Sequence, residues 1–227
     1  MYIDKIYCIC MEDRPAKKEN LLRQLNYHFP LWDPEVFNAI NTRYLNNHHI
    51  GCALSHRSVI QEARDKKYKN ILVLEEDARL HKNFKDLFNK NLNELRNTPW
   101  DILYLGACVW DPKPPKKPRT FESVQNCDYL KILTRSTCTQ GLAYNNTCYD
   151  YILKSLPPSI EEMTGWCKEH RALDQWLMYK MQGIGSVKEG KRKFNCYITS
   201  PRVCSQPFLV GNHKQDKPRD FCDKLQK

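Results

Sequence analysis

The chain has 227 residues, 41% of them apolar and 27% charged, with 13 Pro against only 8 Gly. That length buries a continuous core without disulfide or metal staples, and the balance excludes collagen-like, low-complexity and wholly disordered classes. The formal charge is +10, and between Ser186 and Lys227 ten Lys/Arg face four Asp/Glu, so the basic surface is concentrated in the segment 186–227. A patch of that kind attracts nucleic acid, lipid headgroups or a nucleotide diphosphate alike, or is simply a solvated tail. No apolar run approaches the roughly 20 residues of a membrane span, so no transmembrane segment is expected.

Eleven cysteines form an odd and rich set. Met1 leads straight into Tyr2-Ile3-Asp4-Lys5-Ile6 without the basic, apolar and small-residue pattern of a leader, so the expectation is a cytoplasmic protein with mostly reduced thiols. The sequon Asn145-Asn146-Thr147 would then be idle. Cys8 and Cys10 share a strand face, and Cys196, Cys204, His213 and Cys222 form a conceivable zinc set, but no Cys-x-x-Cys pair supports one.

In chain order, the run from Tyr2 to Ile9 predicts a buried first strand that stops at Glu12-Asp13-Arg14. Asp13 and Pro15 signal a helix start, with Leu21, Leu22 and Leu25 as its apolar stripe up to Pro30. Val36 to Ile40 reads as a second strand. After Gly51, the positions Ala53, His56, Ile60 and Ala63 fall at helical spacing. Asn70 to Leu74 is the strongest strand, an unalternating apolar run of the kind covered on both faces of a sheet. Phe84, Leu87, Phe88, Leu92 and Leu95 mark an amphipathic helix, and Trp100 to Leu105 a strand closed by Gly106.

The segment 111–119 carries four prolines and a charge of +3 and is read as a loop. Strands near Tyr129 to Leu133 and Gly141 to Tyr144 follow, then a short helix through Tyr151 and Leu153, the break Pro157-Pro158, and a last helix carrying Leu173, Trp176, Leu177 and Met181. Alternating strands and helices with no interdomain linker predict one α/β domain over 1–227, built on a mostly parallel central sheet flanked by helices.

Ligands of open α/β sheets bind beyond the carboxyl ends of the strands, and Glu75-Glu76-Asp77 ends the most buried one. If the chain stays extended there, Glu75 and Asp77 converge on one side while Glu76 faces the other. Three adjacent acids need a cation or basic partner, which a hard divalent ion supplies well; a solvated strand-end turn is the plain alternative.

Gly51-Cys52-Ala53-Leu54-Ser55-His56, then Ile71 to Ala78 around the acids, then Trp100-Asp101-Ile102-Leu103-Tyr104-Leu105-Gly106 together resemble glycosyltransferase family 25. The family includes bacterial lipooligosaccharide and collagen galactosyltransferases. The resemblance extends in order to Arg14, Phe37 to Ile40, Gly141-Leu142-Ala143-Tyr144, Leu173-Asp174 and Ser200-Pro201. It implies a GT-A-like (Rossmann-like) fold, a UDP-sugar donor, Mn²⁺ or Mg²⁺, and transfer with inversion to a hydroxyl of a glycan or glycoprotein. The family's acidic motif is commonly Glu-Asp-Asp, so Glu76 is a departure: harmless if the outer two acids hold the metal, consequential if the middle one contacts the donor ribose.

On this reading Glu75 and Asp77 hold the metal, with His213 as a candidate third ligand whose plain alternative is a surface histidine. Arg14, Ser55, His56, Glu76, Asp101 and Gly141 are expected around the donor. An inverting displacement needs a base on the acceptor side, for which Asp174 is chosen, with Asp101 its rival and a helix-surface acid its plain alternative. Two other readings stand beside it. One is a family-fold binding module without turnover. The other is a basic nucleic-acid binder, against which no RRM-type aromatic pair, zinc finger or helix-turn-helix pattern is found, so no nucleic-acid partner is expected.

Overall fold

A computed structural model describes residues 2–107, 121–182, 187–188 and 191–206. The loop 111–119, the chain from 207 onward and therefore His213 lie outside the described residues. Strands β1 (Lys5–Cys10), β2 (Glu35–Asn38), β3 (Asn70–Glu75), β5 (Ile102–Tyr104), β6 (Phe121–Ser123), β7 (Leu130–Leu133), β8 (Gly141–Asn145) and β11 (Cys196–Thr199) form one eight-stranded sheet. Its order is β2-β1-β3-β8-β5-β11-β7-β6. Two short antiparallel pairs complete the strands, β12 (Cys204–Ser205) with β4 (Arg79–Leu80) and β10 (Lys191–Arg192) with β9 (Val187–Lys188).

Strands β1, β2, β3, β5, β6 and β11 run one way and β7 and β8 the other. The expected α/β class is present, with six of the eight strands running one way in a mixed sheet: antiparallel β8 is inserted between β3 and β5 and antiparallel β7 between β11 and β6. A strand buried on both faces is apolar throughout in either orientation, so its direction was not written in its composition.

The run through β3 explains itself. Ile71 and Val73 belong to one core cluster and Leu72 and Leu74 to the other, all fully buried, because successive side chains of a strand point to opposite faces. Tyr7 and Ile9 of β1, and Ile102 and Tyr104 of β5, join the first cluster, while Ile6 and Cys8, and Leu103 and Leu105, join the second. Helices α2 (His48–Asp65), α4 (Tyr149–Ser155), α5 (Ile160–His170) and α6 (Leu173–Lys180) cover the first face, and α1 (Pro15–His28) and α3 (Phe84–Leu95) the second. Each fully buried Leu, Ile or Phe so placed contributes roughly 1.5–3 kcal/mol relative to exposure.

Helix α2 begins at His48, three residues before Gly51, where the Asn47 side chain accepts the His49 N–H at 3.1 Å. Gly51 is therefore a helix residue, and it is glycine because of a close approach: a Cβ there would lie 2.1 Å from Ile40 O. Helix α5 was not expected. Its signal is present as Ser159-Ile160-Glu161-Glu162, a capping box in which Ser159 Oγ accepts the Glu162 N–H at 3.2 Å and donates to the Glu162 carboxylate at 2.8 Å. The nine described cysteines form no disulfide.

Candidate functional site

The amino-acid run Glu75-Glu76-Asp77 does not stay extended. Strand β3 ends at Glu75, and the Ala78 N–H closes a turn onto Glu75 O at 2.9 Å. The three carboxylates consequently fan out to three different elements.

Glu75 faces α2 and the loop before β8. Its Oε1 lies 3.1 Å from His56 Nε2 and accepts the Thr139 hydroxyl at 2.6 Å and the Cys52 thiol at 3.6 Å. Burial alone would push this carboxyl up; the hydrogen bond and charge of His56, with Thr139 and Cys52, outweigh it and hold the group below the usual range. On its other side the fully buried His56 places Nδ1 3.1 Å from the Tyr144 hydroxyl. Burial raises Tyr144 far above ordinary phenols, so it keeps its proton. His56 thus directs an Nε2 hydrogen toward Glu75 and meets the Tyr144 hydroxyl at Nδ1.

Glu76 turns the opposite way and is 8% exposed. It accepts the Met11 N–H at 2.8 Å and an Arg14 N–H at 2.9 Å, with Lys17 Nζ at 3.6 Å. The middle acid thus fastens the β1–α1 loop and holds Arg14 at the carboxyl edge of β1. Asp77 receives Gln206 Nε2 on Oδ2 at 2.5 Å, while its Oδ1 is buried with no hydrogen-bond partner among the described residues. Burial and the neighbouring Glu75 charge push its carboxyl up.

Asp174, in the first turn of α6, is half-buried and accepts the Cys138 N–H at 3.0 Å and the Gln175 N–H at 2.7 Å. Cys138 and Thr139 are adjacent, so one loop reaches both Asp174 and Glu75. That loop is polar and buried at Thr134, Ser136, Thr137, Thr139 and Gln140, and Gln182 clamps it. The Gln182 amide oxygen accepts the Ser136 N–H at 2.7 Å, and its Nε2 donates to Ser136 O at 3.0 Å and to the Tyr104 hydroxyl at 2.9 Å. His170 ends α5, and the chain turns at Arg171, where φ is 68°, before α6 begins.

Three of the residues expected around the donor are engaged within the fold. Asp101 precedes β5, at the edge of the sheet opposite Glu75, and both its oxygens are used: it accepts the Thr147 hydroxyl at 2.6 Å and the Asn195 N–H at 2.7 Å. It therefore faces neither the acids nor the acceptor side of Asp174. Ser55 is fully buried, donating to Gly51 O at 2.7 Å and accepting the Ile40 N–H at 2.9 Å, so it ties α2 to the chain after β2. Gly141 does lie at the correct edge, opposite Leu74, but it packs beneath Cys204, whose Sγ would be 3.1 Å from a Cβ. The sequence reading missed Cys52, Thr139, Tyr144 and Gln206. Cys52, as the i and i+4 partner of His56, and Tyr144, within the Gly141–Tyr144 motif, had left a trace in the sequence.

Residues 26–127 match the model of glycosyltransferase family 25 (LPS biosynthesis protein). The matched segment contains His56 and all three acids but not Arg14, Gly141 or Asp174. Procollagen galactosyltransferase 2 of Homo sapiens is 33% identical over 107 residues, 46% of this chain and 17% of that protein. The glycosyltransferase 25 family member of Drosophila melanogaster is 27% identical over 163 residues, 61% and 26% respectively. The probable inactive glycosyltransferase 25 family member 3 of Bos taurus is 26% identical over 144 residues, 50% and 23%. The alignments thus span about a quarter or less of these relatives' length. Among solved structures, a glycosyltransferase involved in glycosylation of the major capsid of PBCV-1 aligns over 78% of this chain and 74% of its own, with a TM-score of 0.46 and 10% identity. Over residues 26–127 the chain is similar to glycosyltransferase family 25.

Proposed function

We propose that the chain is a metal-dependent, inverting glycosyltransferase that moves a hexose, galactose or glucose, from a UDP-sugar to a hydroxyl of a glycan or glycoprotein. The observation that carries this reading is Asp77 Oδ1, buried and unpartnered among the described residues and within the field of Glu75. An orphaned carboxylate oxygen beside a second carboxylate fits Mn²⁺ or Mg²⁺, which take few protein oxygens and complete their shells with phosphate and water. Asp77 would hold the cation through Oδ1, with the Glu75 charge adding to its field and His213 a candidate further ligand, and the cation would supply Lewis-acid charge to the leaving diphosphate.

Arg14, fixed by Glu76 yet partly exposed, offers its remaining guanidinium hydrogens to the nucleotide phosphates. His56 keeps the Glu75 carboxylate oriented and ionised. Asp174 accepts the proton of the attacking hydroxyl, positioned by the Cys138 N–H. Galactose is favoured as the transferred sugar because a procollagen galactosyltransferase is among the relatives.

The test is calorimetry of UDP binding with Mn²⁺ and with EDTA, alongside a hydrolysis screen of UDP- and GDP-sugars, which requires no known acceptor. Appreciably tighter UDP binding with Mn²⁺, abolished in Asp77→Asn, is the expected result. Equal affinity with and without metal overturns the assignment of the acids. A second reading, a donor-binding module without turnover, has its own support in the relatives named inactive. Metal-enhanced UDP binding with no hydrolysis of any donor, and no transfer to offered acceptors, would favour it.

A further inference from the structure

Among the described residues, Cys52, His56 and Glu75 each bring one ligand atom to a common point, all within 4.8 Å of one another. We propose that Cys52 Sγ, His56 Nε2 and Glu75 Oε1 form a binding site for a thiophilic divalent cation of the zinc class. The ligand set is mixed sulfur, nitrogen and oxygen, which suits zinc and excludes the all-oxygen preference of Mg²⁺ and Ca²⁺.

Two of the three ligand–ligand spacings match those of a coordination shell, and the third lies within 4.8 Å. Tetrahedral zinc at its usual bond lengths separates a thiolate sulfur from a carboxylate oxygen by about 3.5 Å, and an imidazole nitrogen from that oxygen by about 3.3 Å. The corresponding distances here are 3.6 Å and 3.1 Å. Two ligands sit at i and i+4 on one face of α2 and the third ends β3, so rigid, core-backed elements present all of them. The outer contacts are in place too: the Tyr144 hydroxyl at His56 Nδ1 fixes the ring, and the Thr139 hydroxyl fixes Glu75. Three protein ligands leave a fourth position for water. On binding, the Cys52 S–H bond would be replaced by a metal–sulfur bond with its proton leaving to solvent, and His56 Nε2 would give up its hydrogen to bind the metal while Nδ1–H is donated to the Tyr144 hydroxyl oxygen.

This site takes Glu75 Oε1, Cys52 and His56 and not Asp77, whose Oδ1 is the oxygen assigned to the sugar-transfer cation, so it stands whether or not the chain transfers sugar. Two measurements test it. Cys52 is partly exposed, so its alkylation rate can be followed by peptide mapping with and without zinc, with the partly exposed Cys127 as internal reference. Zinc should slow labelling of Cys52 at least tenfold, leave Cys127 unchanged, and be reversed by EDTA. Cobalt titration should give a thiolate-to-metal charge-transfer band that is lost in Cys52→Ala and kept in Cys127→Ala. A rate of Cys52 labelling indifferent to zinc, or a cobalt band that survives Cys52→Ala, overturns the proposal, and the three neighbours are then a hydrogen-bond network only.

Discussion

The Thr139 hydroxyl donates to Glu75 Oε1 at 2.6 Å across 64 residues of sequence, from the loop whose preceding residue gives its N–H to Asp174. The buried loop 134–140 is therefore the element that sets the two carboxylates in fixed relation. Thr139→Val keeps the shape and removes the donor. Because a hydrogen bond to an ionised group contributes about 1.5–3 kcal/mol, the unfolding free energy should fall by that order, seen as a lower urea midpoint at unchanged slope. A midpoint equal to that of the parent would show that His56 and Cys52 hold Glu75 without it.

Asp174→Asn separates binding from chemistry. The substitution retains an acceptor for the Cys138 N–H but cannot take a hydroxyl proton, so turnover should fall by roughly 10²–10⁴ while UDP affinity is unchanged. Near-normal turnover at saturating donor and acceptor would reduce Asp174 to a brace between α6 and the loop.

Asp101→Ala should behave as a folding mutation. It strips the acceptor from the Asn195 N–H and the Thr147 hydroxyl at the far edge of the sheet, both partly open to solvent, at a cost of about 1 kcal/mol for each hydrogen bond lost. UDP affinity, measured below the lowered melting temperature, should match that of the parent. A selective loss of UDP binding without a loss of stability would contradict the structural role.

Acid should weaken the fold first through histidines. Burial lowers His28 and His81 below the ordinary value of 6.5, each further lowered by a neighbouring basic group, with Asp86 partly opposing this at His28. The unfolded chain therefore binds protons at these positions before the folded one does, and stability falls as pH drops through about 6.5 and below. Glu62, held below its usual value mainly by the Lys66 hydrogen bond, adds a second loss only at more acidic pH. Urea midpoints at pH 7.5 and 5.5 should differ in that direction, and His28→Gln should shrink the difference; a midpoint that rises on acidification would refute the assignment.

The family motifs and the buried run of β3 made the α/β class, the strand ending in acids and the placement of His56 in a helix legible from the sequence, because each is a local pattern of period or spacing. The direction of β8 was not legible, since a strand covered on both faces looks alike either way up. Nor was the fanning of Glu75, Glu76 and Asp77, because a single turn bond from Ala78 replaces the extended geometry that would have made the outer acids converge. Asp101 read as a site acid because its motif sits near the others in sequence, yet it precedes its strand while Glu75 ends one, and in a sheet of parallel strands that difference is the full height of the sheet. Partners such as Thr139 for Glu75 and Gln206 for Asp77 lie 64 and 129 residues away, so only the folding of the chain brought them within hydrogen-bond reach.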